Sequence, residues 1–174
     1  MSKIIICGLN GSGKTTLGNE LTKRIGYVHR DIEMYYFNTS SNNKYSQSRS
    51  KDDVVKDLEN DFTKYENIVF TACKGDYGRL DDLYDLAIYI RLDRDTRISR
   101  IKERSFKQFG NRVLEDSELY QQENKFWNMA YNRDETPIIN WFKNLKCPKI
   151  EIDGMKPVEE NITEILNNFQ LPMA

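Results

Sequence analysis

Histidine, cysteine and proline are scarce in this chain, with one, three and four copies among 174 residues. Cys7, Cys73 and Cys147 lie far apart, are odd in number and form no C-x-x-C pair. That argues against a disulfide framework or a thiolate zinc site and fits a reducing, cytoplasmic compartment. No stretch approaches 18 consecutive apolar residues, so neither a bilayer-spanning helix nor a membrane partner is expected. The opening Met1-Ser2-Lys3-Ile4-Ile5-Ile6 is too short for a secretion signal. A net charge of −1 leaves no general electrostatic attraction for nucleic acid.

What is present suits one globular domain spanning 1–174. Hydrophobic residues make up 39 % and charged residues 30 %, in a chain long enough to bury a core. Residues 3–7 form a short continuous apolar run, which reads as a strand covered on both faces in a parallel sheet. A helix is expected over 14–25, where Leu17, Leu21 and Ile25 recur every four residues and Gly26 offers a stop. A short second strand is expected over 27–29, ending near Asp31. Residues 38–50 turn to Ser, Asn, Gln and Tyr and read as a long surface loop. A helix over 51–65 follows, then strands over 68–73, 86–92 and 149–152 and a closing helix over 157–169, with Pro157 near its first turn. Residues 94–145 carry mostly helical pattern. Strands alternating with helices predict an α/β fold, a three-layer parallel five-stranded sheet with a helical insertion over about 94–145.

Gly8-Leu9-Asn10-Gly11-Ser12-Gly13-Lys14-Thr15 matches G-x-x-x-x-G-K-[ST] in full, between the first strand and the first helix. This is the P-loop pattern. Its glycines let backbone N–H groups from Gly8, Asn10, Gly11, Ser12 and Gly13 converge on phosphate oxygens. Lys14 reaches the β- and γ-phosphates, the Thr15 hydroxyl can coordinate Mg2+, and Thr16 opens the helix whose positive end faces the same anion. ATP with Mg2+ is therefore the expected ligand pair. GTP of the GTPase type is disfavoured, since Asn43-Lys44 is followed by Tyr45-Ser46 rather than completing an Asn-Lys-x-Asp stretch. Residues 91–112 hold eight basic side chains against three acidic ones, with Arg97, Arg100 and Arg104 on one helical face. Planar guanidinium groups there would stabilise a transferring phosphoryl group; a solvated basic helix is the other reading.

Beyond the P-loop, four stretches resemble the adenylate-kinase-like family of small P-loop kinases, which includes nucleoside monophosphate, shikimate and gluconate kinases and DNA topology modulation proteins. They are Gly75-Asp76-Tyr77-Gly78-Arg79, Tyr84-Asp85-Leu86-Ala87-Ile88-Tyr89-Ile90, the 97–104 arginines, and Ile152-Asp153-Gly154 with Lys156-Pro157. The resemblance covers almost the whole chain. It implies that 94–145 is a lid closing over the phosphates, with Arg100 against the adenine and Arg104 and Arg112 on the phosphates. It implies too that Asp153-Gly154 passes the adenine. Asp31 sits where such kinases often carry an acidic residue; it either prepares the acceptor hydroxyl or caps the next helix. Asp76, Tyr77 and Arg79 follow the third strand, at the edge where open α/β sheets bind ligands, and are candidates for the acceptor or, for Asp76, the metal. Arg49 can meet an anionic acceptor or remain a surface arginine. His29 reads as a packed strand-end residue. Phe126, Trp127, Tyr131, Trp141 and Phe142 read as core or lid packing rather than a stacking platform.

The chain departs from the pattern after its third strand. No acidic residue appears there before Asp76, and Lys74 stands where the topology-modulation-like pattern has Asp. The Asp-Gly-Phe-Pro-Arg type stretch of adenylate kinases is missing, so that activity is not expected. The function expected is ATP-dependent phosphoryl transfer to a small-molecule or nucleotide acceptor. The alternative is a nucleotide-binding regulatory module or slow ATPase.

Overall fold

The computed structural model describes residues 1–36, 49–73 and 77–171. Five strands, all parallel, form one sheet in the order β2-β3-β1-β4-β5. They are β1 Ser2–Cys7, β2 Val28–Asp31, β3 Asn67–Ala72, β4 Leu86–Arg91 and β5 Lys149–Asp153. The helices are α1 Lys14–Ile25, α2 Glu33–Tyr36, α3 Lys51–Lys64, α4 Arg94–Phe109, α5 Tyr120–Asn132, α6 Thr136–Asn144 and α7 Val158–Asn168. The expected α/β class and all five strands are present. The second strand sits slightly later than its apolar residues suggest, because Arg30 and Asp31 still pair with Phe70 and Thr71 of β3.

Alternation along β1 makes the two core layers. Ile5 and Cys7 join Phe70, Ala87 and Tyr89 on one face, which α3 covers with Val54, Leu58 and Phe62. Ile4 and Ile6 join Val69, Ile88 and Ile90 on the other, which α1 covers with Leu17, Leu21 and Ile25 and α7 with Ile162 and Ile165. Both neighbours of β1 are parallel strands, so every residue of β1 is buried, as its unbroken apolar run requires. Lys3 is its one charged residue. Its ammonium donates to the Phe62 and Tyr65 carbonyls at 2.6 and 2.8 Å, the C-terminal end of α3, where a cation is favoured. Burial nonetheless lowers its pKa.

The helical stretch 94–145 divides. Helix α6 sends Ile138 and Phe142 into the sheet core. Helices α4 and α5 make a separate small cluster from Ile98, Ile101, Val113, Trp127 and Ala130. Asp93 caps α4 by accepting from Thr96 N–H at 2.8 Å, and Ser50 caps α3 through Asp53 N–H at 3.2 Å. Among the described residues no helix is long and apolar enough to cross a membrane.

Phe70 is fully buried and meets Tyr35, Phe62 and Tyr77 edge to face, with ring centroids 5.8–6.5 Å apart. Phe70→Ala should cost about 3–5 kcal/mol of unfolding free energy by urea titration. Phe106→Ala, on the exposed side of α4, should stay within about 0.5 kcal/mol.

Candidate active site

At the carboxyl end of β1 the chain turns through Gly8, Gly11 and Gly13, all with positive φ. Ser12 N–H donates to the Leu9 carbonyl at 3.2 Å and closes the turn. Gly11 has a second reason to lack a side chain. A Cβ there would stand 2.4 Å from the Arg97 carbonyl of α4. The ladder of α1 begins with Leu17 N–H on the Gly13 carbonyl, and Gly13 supplies no side-chain cap. The N–H groups of Lys14, Thr15 and Thr16 therefore precede the ladder at the open end of the helix. No acidic residue stands in the first turn to neutralise that end. The Lys14 ammonium crosses the loop to the Leu9 carbonyl at 3.0 Å. Ser12 is buried, and its hydroxyl oxygen has no partner. This cradle fits a phosphate chain.

A cleft of about 190 Å³ lies over the loop, lined by Asn10, Gly13, Lys14, Thr15, Asp31 and Arg104 among others. Asp31 is one of its two acidic members, with Glu33. Its Oδ2 accepts from the hydroxyls of Thr15 and Thr71, both at 2.7 Å, and its Oδ1 accepts from Glu33 N–H at 3.0 Å. Asp31 thus both lines the cleft and closes the turn into α2. The Thr15–Asp31 pair also fits Mg2+, a hard cation that prefers oxygen ligands and needs few from the protein. It offers an acidic group at the end of β2, where the sequence of β3 has none.

Asp31 is set from behind. With the Thr71 proton directed at the carboxylate, His29 Nε2–H is the donor to Thr71 Oγ1, at 3.1 Å. Gly18, in the middle of α1, makes room for this relay. A Cβ there would come within 2.7 Å of both His29 Nε2 and Thr71 Cγ2. A glycine inside an otherwise regular helix is the sequence signal for such a close approach, and it marks the one feature of the relay that could have been read in advance.

A second cavity of about 250 Å³ runs from Ser12 and Thr16 to Ile90, Gly154 and Asn161, and Arg100 lines both. The Arg100 guanidinium donates to the Gly154 carbonyl at 3.0 Å. The Asp153 side chain accepts from Met155 N–H at 2.8 Å and so shapes the turn, while its carbonyl accepts from Asn161 at 2.9 Å.

Two arginines hold Asn10. Arg97, almost wholly buried, donates to the Asn10 carbonyl at 3.2 Å; Arg133, after α5, donates to its side-chain oxygen at 2.8 Å. Burial pulls the Arg97 pKa down, opposed by the charge of Glu135. Arg133 and Glu33, which also lines the cleft, carry no motif and were not legible.

Other candidates lie elsewhere. Arg112 sits on the turn Gly110–Val113, which carries it away to an exposed pair with Glu118 at 3.2 Å. Arg79 forks onto Glu59 at 2.6 and 2.9 Å, and Arg49 pairs with Asp57 at 2.6 Å. None of the three lines the cavities described above. Tyr77 is buried against Phe70 in the core rather than offered to a ligand. Asp76, with Lys74 and most of the 38–50 loop, lies outside the described residues.

The sequence profile of the AAA domain family matches residues 4–121. The uncharacterized protein YqaC of Bacillus subtilis (strain 168) is 29 % identical over 173 residues, covering 94 % of this chain and 95 % of its own. A deoxyadenosine kinase from M. mycoides with bound dATP superposes with a TM-score of 0.60 at 17 % identity, covering 97 % of this chain and 100 % of that one. A gluconokinase from Sinorhizobium meliloti 1021 gives 0.57 at 16 %, covering 95 % and 90 %. The fold is that of the P-loop kinases.

Burial lowers the His29 pKa, with Asp31 opposing and Arg30 adding to the shift. The folded chain thus favours neutral His29 more than the unfolded chain does. Its contribution to stability is complete above the ordinary value of about 6.5 and is lost as pH falls toward the depressed one. Urea midpoints measured from pH 7.5 to 5 should fall in the parent chain and fall less in His29→Gln. Gly18→Ala should cost about 1–3 kcal/mol by the same titration, despite the better helix propensity of alanine.

Proposed function

Because the chain belongs to the AAA domain family, we propose that it transfers the γ-phosphoryl group of ATP to a hydroxyl of a small-molecule or nucleotide acceptor. One observation carries this reading. The open N-terminus of α1, the Lys14 ammonium, the Thr15–Asp31 pair and two arginines of α4 all face one cleft.

Each group has a task set by charge. The loop N–H groups and Lys14 hold the β- and γ-phosphates, which otherwise repel incoming electron density. Arg104 faces the same cleft and neutralises charge growing on the equatorial oxygens during transfer. Arg100 stands between the phosphate cleft and the second cavity, which takes the adenine beside Gly154. Thr15, with Asp31 behind it, would hold Mg2+. That ion would supply positive charge to offset the charge of the phosphates. Arg49, Arg79 and Arg112 play no part in this reading, because each is already matched by a carboxylate.

The test is transfer of radiolabelled γ-phosphate from ATP across a panel of nucleosides, nucleotides, sugars and hydroxy acids, with ATP affinity measured separately by calorimetry in magnesium. Lys14→Ala should abolish tight ATP binding and lower turnover by about 10²–10³-fold. Arg104→Ala should lower kcat by a comparable factor with a smaller effect on the KM for ATP, since its charge is needed most in the transition state. Tight ATP binding with hydrolysis that no acceptor stimulates would replace the kinase reading with that of a regulatory module.

A further inference from the structure

A cavity of about 400 Å³ opens between α4 and α5 and shares Asn10, Glu33 and Arg104 with the phosphate cleft. Its size suits a small molecule. Its position puts whatever it holds next to the Asn10–Glu33–Arg104 side of the phosphate cleft. The wall is poorly suited to an anion: among the described residues lining it, Arg104 is the one cation, set against the carboxylates of Glu33 and Glu123. It does suit a flat, neutral, hydrogen-bonding body. Phe109 and Phe126 are half-buried in the α4–α5 cluster and still line this space. Gln108 and Gln122 add two amides, each able to donate and to accept. The framework behind them is fixed, with Glu123 accepting from the Ser105 hydroxyl at 2.6 Å and Trp127 donating to the same oxygen at 3.3 Å.

We infer that this cavity is the acceptor site and that the acceptor is an uncharged nucleoside. Its base rests on Phe109 and Phe126 with its polar edge at the glutamines, and its sugar hydroxyl lies at the Asn10–Glu33–Arg104 end. The inference rests on the phosphoryl-transfer reading above. In the reaction, the hydroxyl oxygen gives an electron pair to the γ-phosphorus. The bond from that phosphorus to the β,γ-bridging oxygen breaks, and ADP leaves with the pair. The hydroxyl proton passes to the Glu33 carboxylate. Glu33 takes this task because the oxygens of Asp31 already accept from Thr15, Thr71 and the Glu33 N–H. A nucleoside monophosphate or a sugar acid would add a further negative charge beside two carboxylates and is disfavoured.

The test is calorimetric titration of the full chain with the common ribo- and deoxyribonucleosides, with gluconate, shikimate and AMP as comparison probes, each without ATP and with a non-hydrolysable ATP analogue. At least one nucleoside should bind more tightly than any comparison probe and should accept labelled phosphate from ATP. Phe126→Ala should weaken its binding about tenfold or more through lost stacking. Gln122→Ala changes an exposed side chain, so it tests the site without disturbing the fold, and it should weaken binding and alter the ranking of bases. The inference is overturned if a chain that binds ATP binds no nucleoside, prefers gluconate, shikimate or AMP, or binds nucleosides equally well in both variants. Failure to bind ATP counts against the phosphoryl-transfer reading instead, and the titrations without ATP still report on the cavity.

Discussion

A helix that begins inside a protein without a cap leaves N–H groups with nothing to bond, and each such group costs free energy when it is taken out of water. Helix α1 begins in this way, with glycine where a serine or aspartate would supply a cap and no carboxylate in its first turn. The surrounding residues follow from that constraint. Lys14 turns back over the loop, the Ser12 hydroxyl is buried without a partner, and the nearest carboxylate, Asp31, is engaged by two threonine hydroxyls. A phosphate chain satisfies the helix end, the ammonium and the loop amides at once. An ordinary cap would satisfy one of them.

The approach of α4 to the loop is the second consequence. The Arg97 carbonyl sits where a Cβ on Gly11 would be, and the Arg97 guanidinium holds the Asn10 carbonyl while Arg133 holds the Asn10 amide. The loop is therefore gripped by the same helices whose other residues line the phosphate cleft and the α4–α5 cavity. A guanidinium buried without a carboxylate in hydrogen-bonding contact is costly. Here Arg97 Nη1 meets the Asn10 backbone oxygen while its Nε is left without a partner, and Arg133 meets the Asn10 amide oxygen, which keeps both charges next to a site built for anions.

Much of this was legible in the sequence. The P-loop motif, the unbroken apolar run of β1 and the four-residue spacing of Leu17, Leu21 and Ile25 fix the sheet, the first helix and the phosphate cradle through local rules. Other features depend on contacts distant in sequence, which no local pattern records. Arg112 belongs to a basic run, yet Gly110 ends α4 and its turn carries the arginine to Glu118. Tyr77 follows the third strand at a ligand-binding edge, but the space beside Phe70 takes its ring into the core. Phe126 reads as packing and does pack, and it also lines a cavity that only the pairing of α4 with α5 creates. Asn10, an unrestricted position within the motif, is held by two arginines 87 and 123 residues away.

The acidic pair at the end of β2 shows how one short turn separates two roles. In Asp31-Ile32-Glu33 the middle side chain packs against the sheet core. With Ile32 anchored there, the two flanking carboxylates both line the cleft. Their surroundings then differ. Asp31 is the last residue of β2 and stands opposite Thr71 of β3, so the hydroxyls of Thr71 and Thr15 fix it as an acceptor. Glu33 is one turn further on, is exposed, and lines the acceptor cavity as well as the cleft. A carboxylate already accepting three hydrogen bonds is held in place, whereas an exposed one can turn toward a ligand. The two carboxylates, two positions apart, thus suit different tasks, a fixed hydrogen-bond acceptor at Asp31 and an exposed group facing the acceptor cavity at Glu33.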